Sequence, residues 1–329
     1  MKILYAIQGT GNGHLSRAVD IVPILQKKAK LDILVSGIQA DLALPFKVKY
    51  KMKGMSFIFG KKGGVDILNT YKKTDSKKIY QDIQSLPVKD YDLIINDFEP
   101  VSAWAAKLKN INCISLSHQS AILHKKAPKP ESSSWFGEKV LKYYSPSNYQ
   151  YGFHFNKYDD NIFTPIIRQK IRTQDIKNYG HYTVYLPAYS DEKIISQLSQ
   201  IENIKWEVFS KHSKLTYRKK NIFIRPINDD DFVKSMATCE AVLCGAGFET
   251  PSEAMFLGKK LMVIPMKSQY EQQCNAATLK QMGVSVIKSL NQKHLNEIKE
   301  WINSNNRIIV NYLDNTEEII DKILNSHLG

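Results

Sequence analysis

Short apolar runs alternate along the whole chain with longer segments of helical periodicity. The apolar, β-prone runs predict strands in two series, at residues 2–8, 31–36, 91–96 and 113–117, and then at 182–186, 206–210, 221–225, 241–244, 261–264 and 285–287. Apolar residues spaced three or four apart predict helices at 15–28, 101–108, 191–200, 231–237, 272–282 and 317–328. Strands that alternate with helices form parallel sheets covered on both faces, so the pattern predicts an α/β protein.

The two series of strands are separated by an aromatic, proline-punctuated stretch at residues 135–171. A chain of 329 residues exceeds one typical core, so two domains of about 150 residues are expected. We place the junction within 156–173, which gives a first domain at 1–165 and a second at 166–312. A terminal helix within 313–329 is able to return to the first domain.

Composition places the chain among soluble globular proteins. Hydrophobic residues make up 43% and charged residues 24%. The first residues lack the apolar length of a signal peptide, and no run approaches the roughly 18 apolar residues that span a bilayer, so we expect a cytoplasmic protein. The four cysteines form no C-x-x-C pair and no histidine pair stands at zinc spacing, so reduced thiols are expected rather than disulfides or a metal cage.

The net charge of +14 is concentrated in the first half of the chain. Residues 1–170 hold 26 Lys and Arg against 14 Asp and Glu, whereas residues 171–329 hold 20 against 18. Lysine doublets at 61–62, 72–73, 77–78 and 125–126 suit an anionic partner, which could be a membrane surface, a phosphorylated acceptor or a nucleic acid. A solvated lysine-rich surface is the alternative for each doublet.

Aromatic residues accompany this charge. The basic half of the chain also contains Trp135, Phe136, Tyr143 and Tyr144. Aromatic side chains together with lysines stabilise docking at a lipid interface. The sequence therefore predicts peripheral binding to an anionic membrane, on its inner face. The alternative is that these aromatic residues pack in the core and between the domains.

A glycine-rich turn follows the first predicted strand. Glycines at 9, 11 and 13 precede His14 and a helix, whose free N–H groups favour an anion. The spacing G-x-G-x-G-H departs from the dinucleotide fingerprint G-x-G-x-x-G, and the acidic Asp32 begins rather than ends the second strand, so a dehydrogenase is disfavoured. At such a turn His14 faces a crevice and could act as a general base, with Gly13 on the acceptor side. The alternatives for His14 are binding without proton transfer, or capping of the helix.

Two later strands end at the same edge of the predicted sheet. Asp97 and Glu99 follow one of them, and His118 follows the next. Either carboxylate could orient the imidazole of His14, and His118 could line the acceptor cleft. Asp97 could instead only terminate its strand.

The most specific signal lies at residues 244–276. Gly245 and Gly247 leave room for a diphosphate against a helix that begins near Thr250. Thr250 and Glu253 also form the T-x-x-E pattern of a capping box, which is the structural alternative for Glu253. A strand to Ile264 follows, and then the run Glu271-Gln272-Gln273-Cys274-Asn275-Ala276.

This segment resembles the nucleotide-sugar signature of GT-B glycosyltransferases. In order and spacing it is similar to that of the N-acetylglucosaminyltransferase that acts on peptidoglycan lipid intermediates, and the 271–276 run resembles the end of the plant-type UDP-glycosyltransferase box. The resemblance covers residues 221–283 well and the opening glycine turn moderately. It implies a GT-B fold, in which two Rossmann-like, doubly wound parallel-sheet domains face a central cleft.

The resemblance also implies roles for individual residues. A nucleotide-sugar co-substrate, with uridine as its base, would be held by the second domain, and the first would bind the acceptor; no separate cofactor is expected. Glu253 would bind the ribose, Glu271 and Gln272 the sugar, and the backbone of Ile227 the base. The family's glycine-rich phosphate loop is replaced here by Pro187-Ala188-Tyr189, so only Ser190 matches a diphosphate contact.

The predicted function is an inverting, metal-independent glycosyl transfer to an acceptor hydroxyl, which could belong to a lipid or a cell-envelope glycan. The D-x-D triplet at 229–231 precedes a helical pattern and is interpreted as helix capping, so no metal is expected. Retaining GT-B enzymes resemble one another in carrying two glutamates separated by seven residues in this region, a spacing that Glu240, Glu249 and Glu253 do not give. A UDP-sugar 2-epimerase and a basic nucleic-acid-binding protein remain alternatives. No nucleic-acid recognition motif is present, so no nucleic-acid partner is expected.

Overall fold

The computed structural model describes residues 1–10, 12–37, 44–54, 75–131, 135–267 and 269–328, with the side chain of Phe136 excepted. Gly11 of the glycine turn and the lysine doublets at 61–62 and 72–73 lie outside the described residues. The doublets at 77–78 and 125–126 are exposed to solvent.

The first half forms one parallel sheet. Its described strands are β1 (Lys2–Gln8), β2 (Lys30–Ser36), β3 (Tyr50–Met52), β4 (Leu93–Asp97), β5 (Cys113–Ser117), β6 (Tyr149–Phe153) and β7 (Ile162–Phe163). They lie in the order β3-β2-β1-β4-β5-β6-β7, and every neighbouring pair is parallel. The helices are α1 (Gly13–Lys28), α2 (Ser76–Ser85), α3 (Pro100–Leu108), α4 (His118–Ile122) and α5 (Trp135–Tyr144), with a 3-10 turn at Val88–Asp90.

The second half repeats this architecture. Its described strands are β8 (His181–Tyr185), β9 (Lys205–Ser210), β10 (Tyr217–Lys219), β11 (Ile222–Pro226), β12 (Ala241–Gly245), β13 (Lys260–Ile264) and β14 (Ser285–Val286). Their order is β10-β11-β9-β8-β12-β13-β14, and β10 alone is antiparallel to its neighbour. The helices are α6 (Gln169–Arg172), α7 (Asp191–Leu198), α8 (Asp229–Thr238), α9 (Glu249–Phe256), α10 (Tyr270–Gln281) and α11 (Leu295–Asn303), with a 3-10 turn at Gln292–His294.

The central strands are buried on both faces, as continuous apolar runs require in parallel sheets. Residues 3–7 of β1 are fully buried, and so are residues 241–244 of β12. One hydrophobic cluster continues from the first half into the second, where Phe155 packs on Phe248. The ring of His118 also stacks on Phe248, with centroids 3.9 Å apart. The two sheets therefore share an apolar contact below the edge where their strands end.

The chain passes between the halves twice. The last helix, α12 (Thr316–Leu328), lies against α1, where Lys28 pairs with Glu317 at 3.0 Å and Asp321 at 2.7 Å. The chain first crosses from the first half to the second between β7 and β8. In this segment the guanidinium of Arg172 donates to the backbone carbonyls of Tyr312 and Leu313, which lie in the returning segment, at 2.9 and 3.0 Å. The two crossing segments thus run side by side.

The predicted fold class is confirmed, since two α/β domains of parallel sheet face each other. The domain limits at 165 and 312 stay a prediction, with β7 ending at Phe163 and β8 beginning at His181. The main difference from the prediction lies in the aromatic stretch at 135–171, where the structure has β6, β7 and helix α5, which were not predicted. Its side chains divide between two environments: Trp135 and Tyr143 are 68% and 53% exposed, whereas Tyr144 is buried. No helix in the described part of the chain is long and apolar enough to span a membrane.

Candidate active site between the two halves

A cavity of about 680 Å³ opens between the carboxyl edges of the two sheets. It is lined from the first half by the turn after β1 and the start of α1, and from the second half by loops after β8, β9, β11, β12 and β13. The predicted site residues that line it are Gly13, His14, Ile227, Gly247, Thr250, Glu253, Glu271 and Gln272. The predicted residues outside its lining are Asp97, Glu99, His118, Ser190 and Gly245.

His14 stands at the start of α1 and contacts a buried carboxylate. Its Nδ1 lies 2.8 Å from Oδ1 of Asp97, the last residue of β4. A carboxylate only accepts hydrogen bonds, so Nδ1 carries the proton and Nε2 keeps a lone pair. The amide nitrogen of Gln119 lies 3.4 Å from that Nε2. The imidazole is therefore held in the tautomer that can accept a proton on the cleft side.

The charges around His14 set its protonation. Burial lowers the pKa of His14, but the charge of Asp97 and the hydrogen bond to it outweigh burial, so the pKa of His14 is raised above 6.5. Burial likewise works against the ionised form of Asp97, yet Arg17 and His14 hold the pKa of Asp97 below its usual range. The Asp97 carboxylate thus favours its charged form, and its charge favours protonation of the His14 imidazole.

Arg17 lies one turn after His14 and joins the two halves. One of its terminal nitrogens, Nη2, donates to both oxygens of Asp97 at 2.8 Å. The other, Nη1, donates to Oε1 of Glu249, 2.5 Å away in the second half. A Cβ at Gly13 would stand 2.5 Å from Oε2 of the same Glu249, so a side chain at this position would displace the Glu249 carboxylate.

Helix α9 points its N-terminus at the cleft. It begins at Glu249, and its capping residue, Phe248, provides no side-chain hydrogen bond, so the first N–H groups lack a side-chain cap. Gly247 and Thr250 line the cleft beside them. A Cβ built on Gly245, the last residue of β12, would lie 3.7 Å from Oε1 of Gln272. This helix start is suited to an anion such as a diphosphate.

Glu253 does not make the helix-capping contact that the sequence offered as its structural role, and its role in ribose binding stays a prediction. The capping box with Thr250 is wrong, because α9 already begins at Glu249 and Glu253 lies in its second turn. Its Oε1 and Oε2 instead accept hydrogen bonds from Nε and Nη2 of Arg168, at 2.6 and 2.9 Å. Burial raises the pKa of Glu253 although Arg168 opposes that rise. Each oxygen keeps a second lone pair for a hydroxyl donor.

Glu271 and Gln272 begin helix α10 on the far side of the cleft. Oε2 of Glu271 accepts a hydrogen bond from the amide of Gln119 at 2.9 Å, which links it to the side chain beside His14. Oε1 of Gln272 accepts from the backbone N–H of Met266 at 2.9 Å. Its amide nitrogen lies 3.3 Å from the sulfur of Met266, so Gln272 lines the cleft and also braces the loop before α10.

Glu99 and His118 have structural partners. Glu99 is fully buried, accepts from the N–H groups of Val101 and Ser102 at the start of α3, and is bonded by Ser36; it does not contact His14. His118 is 1% exposed, and its two ring nitrogens contact the carbonyl of Phe153 and the amide of Asn275. The expectation that His118 lines the cleft is wrong, because its ring is enclosed by Phe248.

Ile227 and Ser190 differ in their access to the cleft. Ile227 lines it, and its N–H is bonded to the carbonyl of Ser210 at 3.0 Å, so only its carbonyl is left to meet a ligand. The hydroxyl of Ser190 accepts from the N–H of Lys193 and caps α7, away from the lining. Pro187 and Ala188, just before it, line the cleft without a side-chain donor.

The acidic triplet 229–231 begins helix α8. The cap is the preceding Asn228, whose side chain accepts from the N–H of Asp231. Asp229 is bonded by Arg168 and Lys170, and Asp231 is bonded by Arg225 at 2.7 Å. Both ends of the D-x-D pattern are thus occupied by cationic side chains.

Sequence reasoning missed three residues that organise the cleft. Arg17 carried a signal, since a residue three positions after His14 lies on the same helix face. Gln119 follows β5 directly and could have been included with the loop residues at that edge. Arg168 lies in the junction between the two series of strands, where no pattern indicated its pairing with Glu253.

Comparison with known proteins is consistent with this arrangement. A family model described as glycosyl transferase family 1 matches residues 1–304. No curated protein sequence matches the chain at a significant level. Among solved structures, the chain is similar to Acinetobacter baumannii MurG, at 12% identity and a TM-score of 0.55, with 99% of each chain covered.

Two further similar structures were solved with nucleotide ligands. Phytolacca americana UGT2, solved with UDP-2fluoro-glucose and pterostilbene, is 13% identical, with a TM-score of 0.58 over 99% of this chain and 94% of that one. S. aureus MnaA, solved with UDP, is 12% identical, with a TM-score of 0.60 over 99% and 96%. At these identities the likeness concerns the fold.

Proposed function

The chain belongs to glycosyl transferase family 1, and from that premise we propose that it moves a sugar from a UDP-sugar to an acceptor hydroxyl with inversion at the anomeric carbon. The observation that carries the proposal is the pair His14 and Asp97 at 2.8 Å, with His14 lining the same cleft as the N-terminus of helix α9, which has no side-chain cap. A base for the acceptor and an anion site for the leaving group in one cleft are what a single displacement requires.

The proposed step begins at the acceptor. Its hydroxyl gives a proton to Nε2 of His14 while its oxygen bonds to the anomeric carbon, and Asp97 stabilises the imidazolium that forms. The bond from that carbon to the diphosphate oxygen breaks, and UDP leaves with the electron pair. The N–H groups at the start of α9 would hold the departing charge, so no metal ion is needed in this scheme.

The second half supplies contacts for the rest of the donor. Glu253 has lone pairs for the two ribose hydroxyls in addition to those used by Arg168, and Glu271 would accept from hydroxyls of the sugar. The free carbonyl of Ile227 suits a base that presents an N–H donor, as uracil does. Ser190 is not part of this proposal, because its hydroxyl caps α7.

We propose in addition that the acceptor is presented at the inner face of an anionic membrane. One exposed face of helix α5 carries Trp135, Lys139, Lys142 and Tyr143. The Nζ of Lys139 lies 4.9 Å from the Trp135 ring, and that of Lys142 lies 5.6 Å from the Tyr143 ring. Leu141 and Tyr144, on the opposite face, anchor the helix to the protein. Aromatic side chains beside lysines suit a negatively charged lipid interface.

The test is incubation of the protein with a panel of nucleotide sugars, with and without a membrane-lipid extract, analysed by mass spectrometry. The proposal expects UDP release and a lipid whose mass grows by one sugar, only when both substrates are present. Conversion of a UDP-sugar into an isomer without acceptor would instead identify a 2-epimerase. Four carboxylates of the described residues line the cleft, which suits that alternative, but Asp229, Glu249 and Glu253 are each paired with arginine.

A further inference from the structure

We infer that Arg17 is a positioning residue for the transfer proposed above: it fixes the Asp97 carboxylate against His14 and ties that pair to Glu249 of the donor half. The inference rests on the proposed function in assigning His14 as the base. It goes beyond that function by assigning a residue that touches neither substrate.

The first observation is the geometry at Asp97. Nη2 of Arg17 donates to both carboxylate oxygens at 2.8 Å, and one of these oxygens, Oδ1, is also the partner of His14. Arg17 is 2% exposed and its guanidinium lies over the Phe153 ring, 5.3 Å from the centroid. A buried, two-point contact fixes the plane of the carboxylate, and with it the direction of the imidazole.

The second observation is the link across the cleft. The remaining terminal nitrogen of Arg17 bonds Glu249, the first residue of helix α9, at 2.5 Å. Glu249 therefore sits at the proposed diphosphate site and is bonded to Arg17, which also bonds Asp97. One planar side chain thus connects the acceptor-activating pair with the helix that would hold the leaving group, so the alignment of each depends on the other.

The third observation concerns charge. The charged and titratable groups that face His14 are Asp97 from β4, Arg17 from its own helix and Glu249 from the second half; Tyr5 on β1 approaches Asp97, and Glu271 is reached through Gln119. Nη2 of Arg17 is 3.3 Å from Nδ1 of His14. Arg17 opposes protonation of His14, whereas Glu249 favours it. Removing the charge of Arg17 should therefore raise the pKa of His14, and removing the charge of Glu249 should lower it.

The experiment compares Arg17→Met, Arg17→Lys and Glu249→Gln with the unchanged protein. Two measurements are made: the His14 titration by NMR of ring-labelled histidine, which needs no substrate, and the pH profile of kcat/KM. We expect Arg17→Met to lower kcat at pH 7 by about 10- to 100-fold, with UDP affinity within about threefold. The His14 pKa should rise in Arg17→Met and fall in Glu249→Gln. In Arg17→Lys, which keeps the positive charge, it should stay close to the value of the unchanged protein.

Arg225→Met is the matched control. Arg225 also bonds two carboxylates, those of Glu207 and Asp231, and it lies outside the cleft lining. This variant should change thermal stability without moving the His14 titration. If Arg17→Met does not fold, Glu249→Gln alone decides, because it leaves the Arg17–Asp97 contact in place.

An unchanged His14 titration in both Arg17→Met and Glu249→Gln, or a shift of the same sign in both, would overturn the inference. So would a loss of UDP affinity that matches the loss of kcat. If the unchanged protein transfers no sugar, the proposed function fails, and the NMR titration still decides whether Arg17 positions the His14–Asp97 pair.

Discussion

Both carboxylate oxygens of Glu253 are bonded by a single guanidinium group, that of Arg168, at 2.6 and 2.9 Å. The pair is buried at the edge of the cleft, and the same Arg168 reaches Asp229 at 2.7 Å. A carboxylate held in this way is fixed in position before any ligand arrives, which favours tight binding of two vicinal hydroxyls.

The first prediction concerns this carboxylate. Glu253→Gln keeps the shape of the side chain and removes its charge, so UDP affinity measured by calorimetry should fall by about 10- to 100-fold, or roughly 1.5–3 kcal/mol. Glu240→Gln is the control, since Glu240 pairs with Arg307 at 2.7 Å outside the cleft. Unchanged affinity in a folded Glu253→Gln protein would make Glu253 only a structural partner of Arg168.

The second prediction separates chemistry from binding. His14→Ala should leave UDP-sugar affinity nearly unchanged while kcat falls by about 100-fold or more, the usual loss for a general base. His124→Ala is the matched control, because His124 also contacts an aspartate, Asp159, at 2.8 Å but lies outside the cleft lining. A loss below tenfold would mean that another group takes the acceptor proton.

The third prediction is that activity and stability respond to pH in opposite senses. The base must be neutral, and the pKa of His14 is raised, so kcat/KM should increase as pH rises through a value above 6.5. A pKa that is higher in the folded than in the unfolded protein contributes stability below pH 6.5, and this contribution is lost as pH rises through the folded-state pKa. Over one pH series the stability that His14 contributes, measured as the thermal midpoint, should fall while kcat/KM rises. His14→Gln should remove this fall in the thermal midpoint. Parallel curves would contradict the assignment.

The fourth prediction tests membrane docking. The protein should co-sediment with anionic vesicles and far less with neutral ones, and high salt should weaken but not abolish binding, because aromatic insertion is not screened. Trp135→Ala and Tyr143→Ala should each reduce binding severalfold. Tyr80→Ala serves as the control, since Tyr80 is 61% exposed on helix α2. Equal, negligible binding to both lipids would favour a soluble acceptor.

The fifth prediction is that a chelator leaves transfer unchanged. Asp229 and Asp231 could bind a metal together only after release from Arg168, Lys170 and Arg225. Activity should therefore be equal in EDTA and in millimolar Mg²⁺ or Mn²⁺. Strict dependence on a divalent ion would require a different account of how the leaving diphosphate is stabilised.

Local patterns were sufficient for the central elements of the fold. Strand β1 is a continuous apolar run between Lys2 and Gln8, and β5 is a short run of small and apolar residues; both were predicted to the residue. The strands in the aromatic stretch were missed because their alternation is broken by Gly152, His154 and Pro165 and because β7 has only two residues. Burial there depends on the sheet edge and on α12, which returns from the far end of the chain.

The candidate site could be predicted only where a motif is local. Glycines followed by His14, and the segment around α9, indicate a ligand through spacing alone. Pairings such as Arg17 with Glu249 or Arg168 with Glu253 join residues 232 and 85 positions apart, and no local rule specifies them. The same holds for His118, whose partner Asn275 lies in the second half. Glu99 differs, because its carboxylate caps helix α3 through the N–H groups of Val101 and Ser102, which follow it directly in the sequence.

The paired crossings between the halves have a mechanical consequence. The two crossing segments run side by side and are joined where Arg172 binds the carbonyls of Tyr312 and Leu313. Together they form a hinge made of two segments. Such a hinge lets the two halves rotate about the line that joins the two segments. It resists twisting of one half against the other, because a twist would slide the segments past each other. Opening of the cleft to admit a donor should therefore follow one rotation axis, and each return along it would bring Arg17 back to Glu249 in the same register.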